Sequence, residues 1–373
     1  MRGKRWLAAG ILWLSVMLGM AEVGAVSAQA GILIERSTGR VLWERNADEV
    51  LPMASTTKIM TALCVLENAA LEDVVKIDAR MSGIEGSSMY LEAGEELTVE
   101  QLLMGLMLRS GNDAAVALAL HISGSIEAFA ELMNEKAAQL GLTDTHFVNP
   151  HGLPAQGHHT TARELAVITA AAYENETFRR IVSTERAVVP WKGHPYDRVL
   201  SNKNKILTLY EGGNGVKTGY TKAAGRCLVA GAEREDMQLI AVVLNAPQMW
   251  DDCMAMMDEG FAHYDMAEVL SEGEAVGEVD FVFGGQTVTA LAERTVRLPL
   301  EEGENAQVTF HLPEKMDAGV ARGEQIGYAI IDVKGMDAIK VPLIAESTVR
   351  EPVLHRLRRC VTQVWCKWYY ALP

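Results

Sequence analysis

The chain has 373 residues, of which 49% are hydrophobic and 22% are charged, as expected for a globular protein with ample core material. Its length suffices for two domains. With 34 Lys and Arg against 49 Asp and Glu the net charge is −15, which argues against nucleic acid as a partner.

The N-terminus is typical of an export signal. A positive n-region containing Arg2, Lys4 and Arg5 precedes an apolar segment, residues 6–20, that is shorter than a membrane-spanning helix. Small residues at 26–30 suit signal peptidase, and we expect a signal peptide over residues 1–28. The alternative is an uncleaved N-terminal anchor. Either reading places the rest of the chain outside the cytoplasmic membrane.

The next elements are a β-hairpin, residues 31–35 and 39–44, and a helix, residues 54–66. That helix places Ser55 and Lys58 on one face, within reach of each other. A serine hydroxyl needs a nearby base to become a nucleophile, and a lysine can be that base if burial or neighbouring cations lower its pKa. Ser-x-x-Lys at a helix start is the minimal device for acyl transfer without a Ser-His-Asp triad.

Further helices and two buried strands follow. Thr98 and Gln101 form a capping box before a helix that ends at Leu108, and other helices are predicted at 113–122, 163–173 and 254–264. Residues 227–232 and 238–244 are predicted to be adjacent buried strands. The pattern predicts a sheet wrapped in helices.

From about residue 267 to residue 345 short strands alternate with Gly and acidic turns, which predicts a small all-β module. The tail from Pro352 is a basic amphipathic helix that contains Trp365 and Trp368, and such helices lie in membrane interfaces. The alternative is a helix docked on the protein's own β-module.

Three short motifs in a fixed order carry a family resemblance. Ser55-x-x-Lys58 is followed by Ser110-Gly111-Asn112 between two predicted helices and by Lys217-Thr218-Gly219 just before the buried strand pair. In this order the chain resembles the low-molecular-mass penicillin-binding proteins, which are serine-type D-alanyl-D-alanine carboxypeptidases. The resemblance extends from about residue 30 to the last residue. It includes Asn149-Pro150-His151-Gly152-Leu153, the Thr161-Ala162 pair and Asn202-Lys203-Asn204, where many relatives carry Arg in place of Lys203.

The resemblance implies an α/β (α+β) catalytic domain of the serine β-lactamase and transpeptidase type, with an antiparallel sheet flanked by helices. It also implies a small all-β domain and a C-terminal amphipathic helix. We expect the catalytic domain at 29–265, the β-domain at 266–346 and the membrane-anchor helix at 347–373.

The resemblance also implies catalytic roles. Ser55 would attack the carbonyl between two D-alanines and form an acyl-enzyme, Lys58 would accept its proton, and Ser110 would relay a proton to the leaving D-alanine. The backbone N–H groups of Ser55 and Tyr220 would form the oxyanion hole.

The implied binding residues come from the second and third motifs. Asn112 would hydrogen-bond the peptide's amide, while Lys217 and Thr218 would hold the terminal carboxylate. Gly219 would let the substrate backbone approach a strand edge.

The expected substrate is a peptidoglycan stem pentapeptide ending in D-Ala-D-Ala, and β-lactams should acylate Ser55. The enzyme would act at the outer face of the cytoplasmic membrane and use no cofactor. A β-lactamase is an alternative, although no Glu-x-x-x-Asn occurs between Asn112 and Lys217. A non-catalytic peptidoglycan-binding envelope protein is another, although such a protein would be expected to lose Ser55 or Lys58.

Three histidines and a glutamate invite comparison with metal sites. Their spacing fits no zinc motif, so we predict no metal and a loop packed beside the active site; the residues are His151, His158, His159 and Glu164.

Overall fold

The computed structural model describes residues 26–369, and it describes side chains for residues 26–361. The n-region and the apolar segment of the predicted signal peptide lie outside these residues. The side chains of Trp365 and Trp368 lie outside them as well.

The first unit of the chain is built on strands β1 to β9. They are β1 (Ala30–Glu35), β2 (Val41–Arg45), β3 (Val74–Lys76), β4 (Glu96–Thr98), β5 (Arg186–Val189), β6 (Arg198–Ser201), β7 (Gly213–Thr221), β8 (Gly225–Arg234) and β9 (Met237–Leu244). Five of them form an antiparallel sheet in the order β2-β1-β9-β8-β7, with β7 at one edge. Strand β3 pairs with β4, and β5 pairs with β6.

Helices cover both faces of the five-stranded sheet. They are α1 (Lys58–Asn68), α2 (Val99–Leu108), α3 (Asn112–Ser123), α4 (Ile126–Gln139), α5 (Ala162–Tyr173), α6 (Glu176–Val182), α7 (Ile206–Leu209) and α8 (Met249–His263). The continuous apolar run of β9 follows from this arrangement, because its alternate side chains enter two different cores. Ile240 and Val242 pack with helices α1 to α6, whereas Leu239 and Val243 pack with α7 and α8.

The second unit is all β, with a core of its own. Its strands are β10 (Tyr264–Leu270), β11 (Ala275–Phe281), β12 (Thr287–Ala292), β13 (Val296–Glu301), β14 (Gln307–His311), β15 (Lys315–Met316), β16 (Gln325–Asp332) and β17 (Ile339–Ala345). Six of them form a sheet in the order β14-β16-β17-β12-β11-β15, and β10 pairs with β13. Helix α9 (Val353–Tyr369) follows.

A buried arginine joins the two units. Arg40, in the turn between β1 and β2, donates two hydrogen bonds of 2.8 Å to the carboxylate of Glu304 and a third to the carbonyl of Pro299. Its guanidinium also lies 5.1 Å from the centre of the Tyr264 ring. These contacts connect the sheet of the first unit to the strand pair that begins the second.

The structure confirms the predicted fold class, an antiparallel sheet flanked by helices followed by an all-β domain. The predicted hairpin is β1–β2, and the capping box of Thr98 and Gln101 opens α2. Within residues 26–369 no single helix is long and apolar enough to cross a membrane. Helices α3 and α4 reach that length and apolar content only when they are taken together, and the chain bends by 84° between them.

Candidate active site

Ser55 lies in a tight turn that precedes the main helix of the first unit. Residues Ala54–Thr57 form one turn of 3₁₀ helix, and α1 begins directly afterwards at Lys58. Strand β7 passes against this turn, since a Cβ atom added to Gly219 would lie 3.1 Å from the backbone nitrogen of Ser55. A side chain at residue 219 would crowd the serine turn, so glycine suits the close approach of the edge strand.

Lys58 is buried and holds its side chain against Ser55. Its Nζ lies 3.1 Å from Ser55 Oγ, 2.8 Å from Asn112 Oδ1 and 2.5 Å from the carbonyl oxygen of His151. Burial lowers the pKa of Lys58 well below its ordinary value, and the charges of Lys217 and Lys203 lower it further.

These three contacts match the hydrogen-bonding capacity of a neutral amine. A neutral –NH₂ group has two N–H donors and one lone pair. The carbonyl oxygens of Asn112 and His151 can only accept, so they take the two N–H groups. In this neutral form the lone pair faces Ser55 Oγ, as the acceptor of a hydroxyl proton must, whereas the ammonium form donates to all three oxygens.

Ser110 and Asn112 enter the site at the junction of α2 and α3. Ser110 is buried in a left-handed conformation with φ of 62°, and its Oγ has no hydrogen-bond partner among the described residues. Asn112 has a partner at each end of its amide, since its Oδ1 accepts from Lys58 and one N–H of its Nδ2 donates to the carbonyl of Glu85 at 2.6 Å. Because Nδ2 carries two N–H groups, the bond to Glu85 leaves one of them for another acceptor.

Strand β7 carries the third motif along the edge of the sheet. Lys217 is buried, and its Nζ donates to the carbonyl oxygen of Thr218 at 3.0 Å. Burial and the nearby charge of Lys203 lower the pKa of Lys217 to about 7. Lys203 itself donates to Ser87 Oγ at 2.9 Å.

The predicted site residues converge on one pocket of about 420 Å³. Five of them line it: Ser55, Ser110, Thr218, Gly219 and Tyr220. The other three, Lys58, Asn112 and Lys217, are buried and do not line the pocket.

Sequence reasoning missed several residues that line the same pocket. They are Ser87, Arg226, Met249 and Trp250. None belongs to a motif, and only the fold brings their segments to Ser55. The one available signal was Arg226, a cation at the start of a strand that was predicted to be buried.

Two of the residues considered as metal ligands, His158 and Glu164, make hydrogen bonds in different places. His158 contacts Thr57 and the backbone of Val148, whereas Glu164 accepts from Thr143, Asp144 and Thr145. Across residues 26–369, no group of three or more His, Cys, Asp and Glu side chains is arranged to hold a metal ion.

Comparison with known proteins assigns the family. The family model of D-alanyl-D-alanine carboxypeptidases matches residues 18–248, and the model of the penicillin-binding protein 5 C-terminal domain matches residues 264–351. The chain belongs to the D-alanyl-D-alanine carboxypeptidase family. It is thus a serine-type carboxypeptidase, as its three motifs predict.

Individual relatives agree over most of the chain. The D-alanyl-D-alanine carboxypeptidase DacF of Bacillus subtilis is 32% identical over 88% of this chain and 87% of its own length. DacC of Escherichia coli is 33% identical over 93% of this chain and 92% of its own length. Penicillin-binding protein 5 of Haemophilus influenzae has a similar structure, with a TM-score of 0.74, 28% identity and coverage of 87% of this chain and 98% of that protein.

Proposed function

We propose that this enzyme removes the terminal D-alanine of peptidoglycan stem pentapeptides through an acyl-enzyme on Ser55, and that β-lactams acylate the same oxygen. The observation that carries the proposal is the contact between Lys58 Nζ and Ser55 Oγ. It joins a candidate nucleophile to a buried amine with a lowered pKa, beside a pocket lined by the strand of the third motif.

The first chemical step is attack by Ser55. Its Oγ forms a bond to the carbonyl carbon between the two D-alanines as its proton passes to the lone pair of Lys58. The negative charge that develops on the carbonyl oxygen is stabilised by the N–H groups of Ser55 and Tyr220, which the close approach of β7 to the serine turn favours. The peptide nitrogen must then gain a proton to leave as free D-alanine.

Ser110 is suited to the relay of that proton. Ser110 lines the pocket and its buried Oγ has no hydrogen-bond partner among the described residues, so its hydroxyl is free to turn toward the leaving nitrogen. In the proposed relay it gives its proton to that nitrogen as the C–N bond breaks and is reprotonated by the proton that Lys58 took from Ser55. Water then attacks the carbonyl carbon of the acyl-enzyme as one of its protons passes to Lys58. The ester bond to Ser55 breaks, Ser55 Oγ takes that proton back from Lys58, and the shortened peptide departs with a free carboxyl group.

The third motif supplies substrate recognition. The cationic form of Lys217 and the hydroxyl of Thr218 would hold the terminal carboxylate of the substrate. Because β7 is an edge strand, an extended D-Ala-D-Ala backbone can add to it by main-chain hydrogen bonds.

We further propose that α9 lies in the membrane interface and holds the enzyme at the outer face of the cytoplasmic membrane. Four apolar side chains of its described part are 59–83% exposed: Val353, Leu354, Leu357 and Val361. The first turn of the helix is ordered by Glu351, which accepts from His355 and Arg359. A helix docked on the β-domain would bury that apolar face.

Release of D-alanine from diacetyl-L-Lys-D-Ala-D-Ala tests the catalytic proposal. Wild-type protein should release D-alanine, Ser55→Ala should release none, and Ser183→Ala, which changes an exposed serine, should match wild type. Steady hydrolysis of penicillin without release would instead indicate a β-lactamase. Binding to cell-wall sacculi without any turnover would indicate a non-catalytic envelope protein.

A further inference from the structure

The peptide group between Ala54 and Ser55 has two ends with different partners. One end is the Ser55 N–H, a donor of the proposed oxyanion hole, and the other is the carbonyl of Ala54. Because a peptide group is planar, fixing the carbonyl also fixes the direction of the N–H. Ala54 has a φ of 50°, which is unfavourable for a residue with a Cβ atom and must be supported by its surroundings.

A chain of buried hydrogen bonds ends on the Ala54 carbonyl. Thr57 Oγ1 donates to this carbonyl at 2.7 Å, and Oγ1 lies 2.8 Å from His158 Nε2. The backbone N–H of Val148 donates to His158 Nδ1 at 3.0 Å. Thr57 is 0% exposed and His158 is 7% exposed, so water does not compete for these contacts.

The donor and the acceptor of each hydrogen bond in this series follow from the bond between Val148 and His158. Nδ1 of His158 accepts from Val148, so in the neutral ring the proton is on Nε2. Nε2–H must therefore donate to Thr57 Oγ1, whose own hydrogen is directed to Ala54. Burial, the histidines His146 and His159, and Lys58 together lower the pKa of His158 to about 4, so the ring is neutral at neutral pH.

Gly152 leaves the space that the same carbonyl occupies. A Cβ atom on Gly152 would lie 1.9 Å from the Ala54 oxygen, and Gly152 has a φ of 85°. Only glycine fits there, because a side chain at residue 152 would displace the Ala54 carbonyl and the Thr57 hydroxyl that donates to it.

We propose that Thr57 and His158 are positioning residues that aim and polarise the Ser55 N–H for the oxyanion. Donation to the Ala54 carbonyl draws electron density toward its oxygen, which makes the N–H of the same peptide group a stronger donor. The chain Val148–His158–Thr57 thus acts on the reaction through the Ala54–Ser55 peptide and does not contact the substrate. This inference rests on the proposed role of Ser55.

The expected effect falls mainly on the chemical step. Loss of a whole oxyanion-hole donor costs about 10²–10³-fold in rate, so weakening one donor should cost about tenfold. Noncovalent binding should change little, because the donor is needed most where charge develops.

Two pairs of matched variants test the proposal. Thr57→Val removes the hydroxyl at constant shape, and Thr57→Ser restores it. His158→Asn keeps an acceptor at the place of Nδ1 but cannot reach Thr57, whereas His158→Gln places an N–H near Nε2. His159→Gln is the control, because that neighbouring side chain is outside the chain of bonds.

The readouts are the penicillin acylation rate constant, the preceding dissociation constant, and the infrared carbonyl stretch of a ¹³C-labelled acyl-enzyme. Thr57→Val and His158→Asn should acylate about tenfold more slowly and show a higher carbonyl frequency, with an unchanged dissociation constant. Thr57→Ser, His158→Gln and His159→Gln should resemble wild type.

Slow variants with the wild-type carbonyl frequency, or fast acylation by a folded Thr57→Val protein, would overturn the proposal. If Thr57→Val does not fold, the two His158 variants decide in the same way. Failure of the proposed function is recognised separately, because wild-type protein would then form no acyl-enzyme on Ser55.

Discussion

Lys58 and Lys217 are both buried near Ser55, with 0% and 1% of their surface exposed, and the charge of Lys217 lowers the pKa of Lys58. Neither forms an ion pair with a carboxylate within the described residues. Burial without carboxylate partners lowers the pKa of both amines, and the repulsion from a charged Lys217 favours the neutral form of Lys58 in particular. A neutral Lys58 can accept the Ser55 proton, so the effect of burial and of the Lys217 charge on the pKa of Lys58 is the electrostatic basis of the proposed mechanism.

A carboxylate placed beside Lys58 should raise its pKa and so prevent it from acting as a base at neutral pH. Asn112→Asp would put a negative charge next to Lys58 Nζ, raise the pKa of Lys58 and keep it protonated at neutral pH. Acylation by penicillin should then be about tenfold slower or more at pH 7 and should recover as the pH rises. Stopped-flow acylation rates across pH measure this shift. The control, Asn68→Asp at the exposed far end of α1, should leave the pH dependence of the acylation rate unchanged. An unchanged pH dependence in Asn112→Asp would argue against Lys58 as the base.

Removal of the Lys217 charge should make the protein more stable and less active. The folded-state pKa of about 7 lies below that of the unfolded chain, so Lys217 disfavours folding increasingly as the pH falls from 10.5 toward 7. Lys217→Met should therefore stabilise the first unit by about 2–4 kcal/mol at pH 7 and by less at pH 10. Calorimetry at both pH values measures this difference.

The same variant should raise the KM for D-Ala-D-Ala peptides, because the terminal carboxylate loses its cation. Lys222→Met, an exposed lysine just after β7, should change neither stability nor KM. A Lys217→Met protein that is less stable than wild type at pH 7 would show that the buried ammonium is favourable in the folded state.

The hydrogen bonds that join the first unit to the second should depend on Arg40. Arg40→Ala would leave the Glu304 carboxylate and the Pro299 carbonyl without their donor at a mostly buried site, at a cost of about 3 kcal/mol. Faster hydrogen exchange in β10 and β13 is the expected result. Arg80→Ala, which breaks an exposed ion pair with Asp78, should leave stability nearly unchanged, because solvent screens that pair. Equal effects of the two variants would contradict a special role for Arg40.

Truncation before Pro352 should release the protein from lipid. We expect full-length protein to sediment with phosphatidylglycerol vesicles and the truncated protein to stay in the supernatant, because α9 supplies the exposed apolar face. Full-length Leu354→Asp/Leu357→Asp should also stay in the supernatant, because its helix no longer presents these two apolar side chains to the lipid. This variant keeps the basic residues of α9, so it tests the apolar face alone. Sedimentation of the truncated protein would place the membrane contact elsewhere.

The sequence predicted those parts of the site that depend on local spacing. Ser55 and Lys58 meet because three positions separate them at a helix start, and Ser110 and Asn112 lie where two predicted helices join. The continuous apolar run that made β9 recognisable reflects burial on both of its faces.

The parts that were not predicted depend on contacts between distant segments. The hydrogen bonds of Asn112 to Lys58 and to the carbonyl of Glu85 connect segments that are distant in the sequence. The bonds of His158 to Thr57 and Val148 join three segments that no motif relates. Helix α4 was also not identified.

The central claim is that Ser55 becomes acylated. Trypsin cleaves after Arg45 and Lys58, so residues 46–58 form one peptide that carries the serine. Wild-type protein treated with penicillin should gain one adduct mass, and that mass should be on Ser55 in this peptide and be absent from Ser55→Ala. An adduct that persists in Ser55→Ala, or that maps to another peptide, would contradict the account.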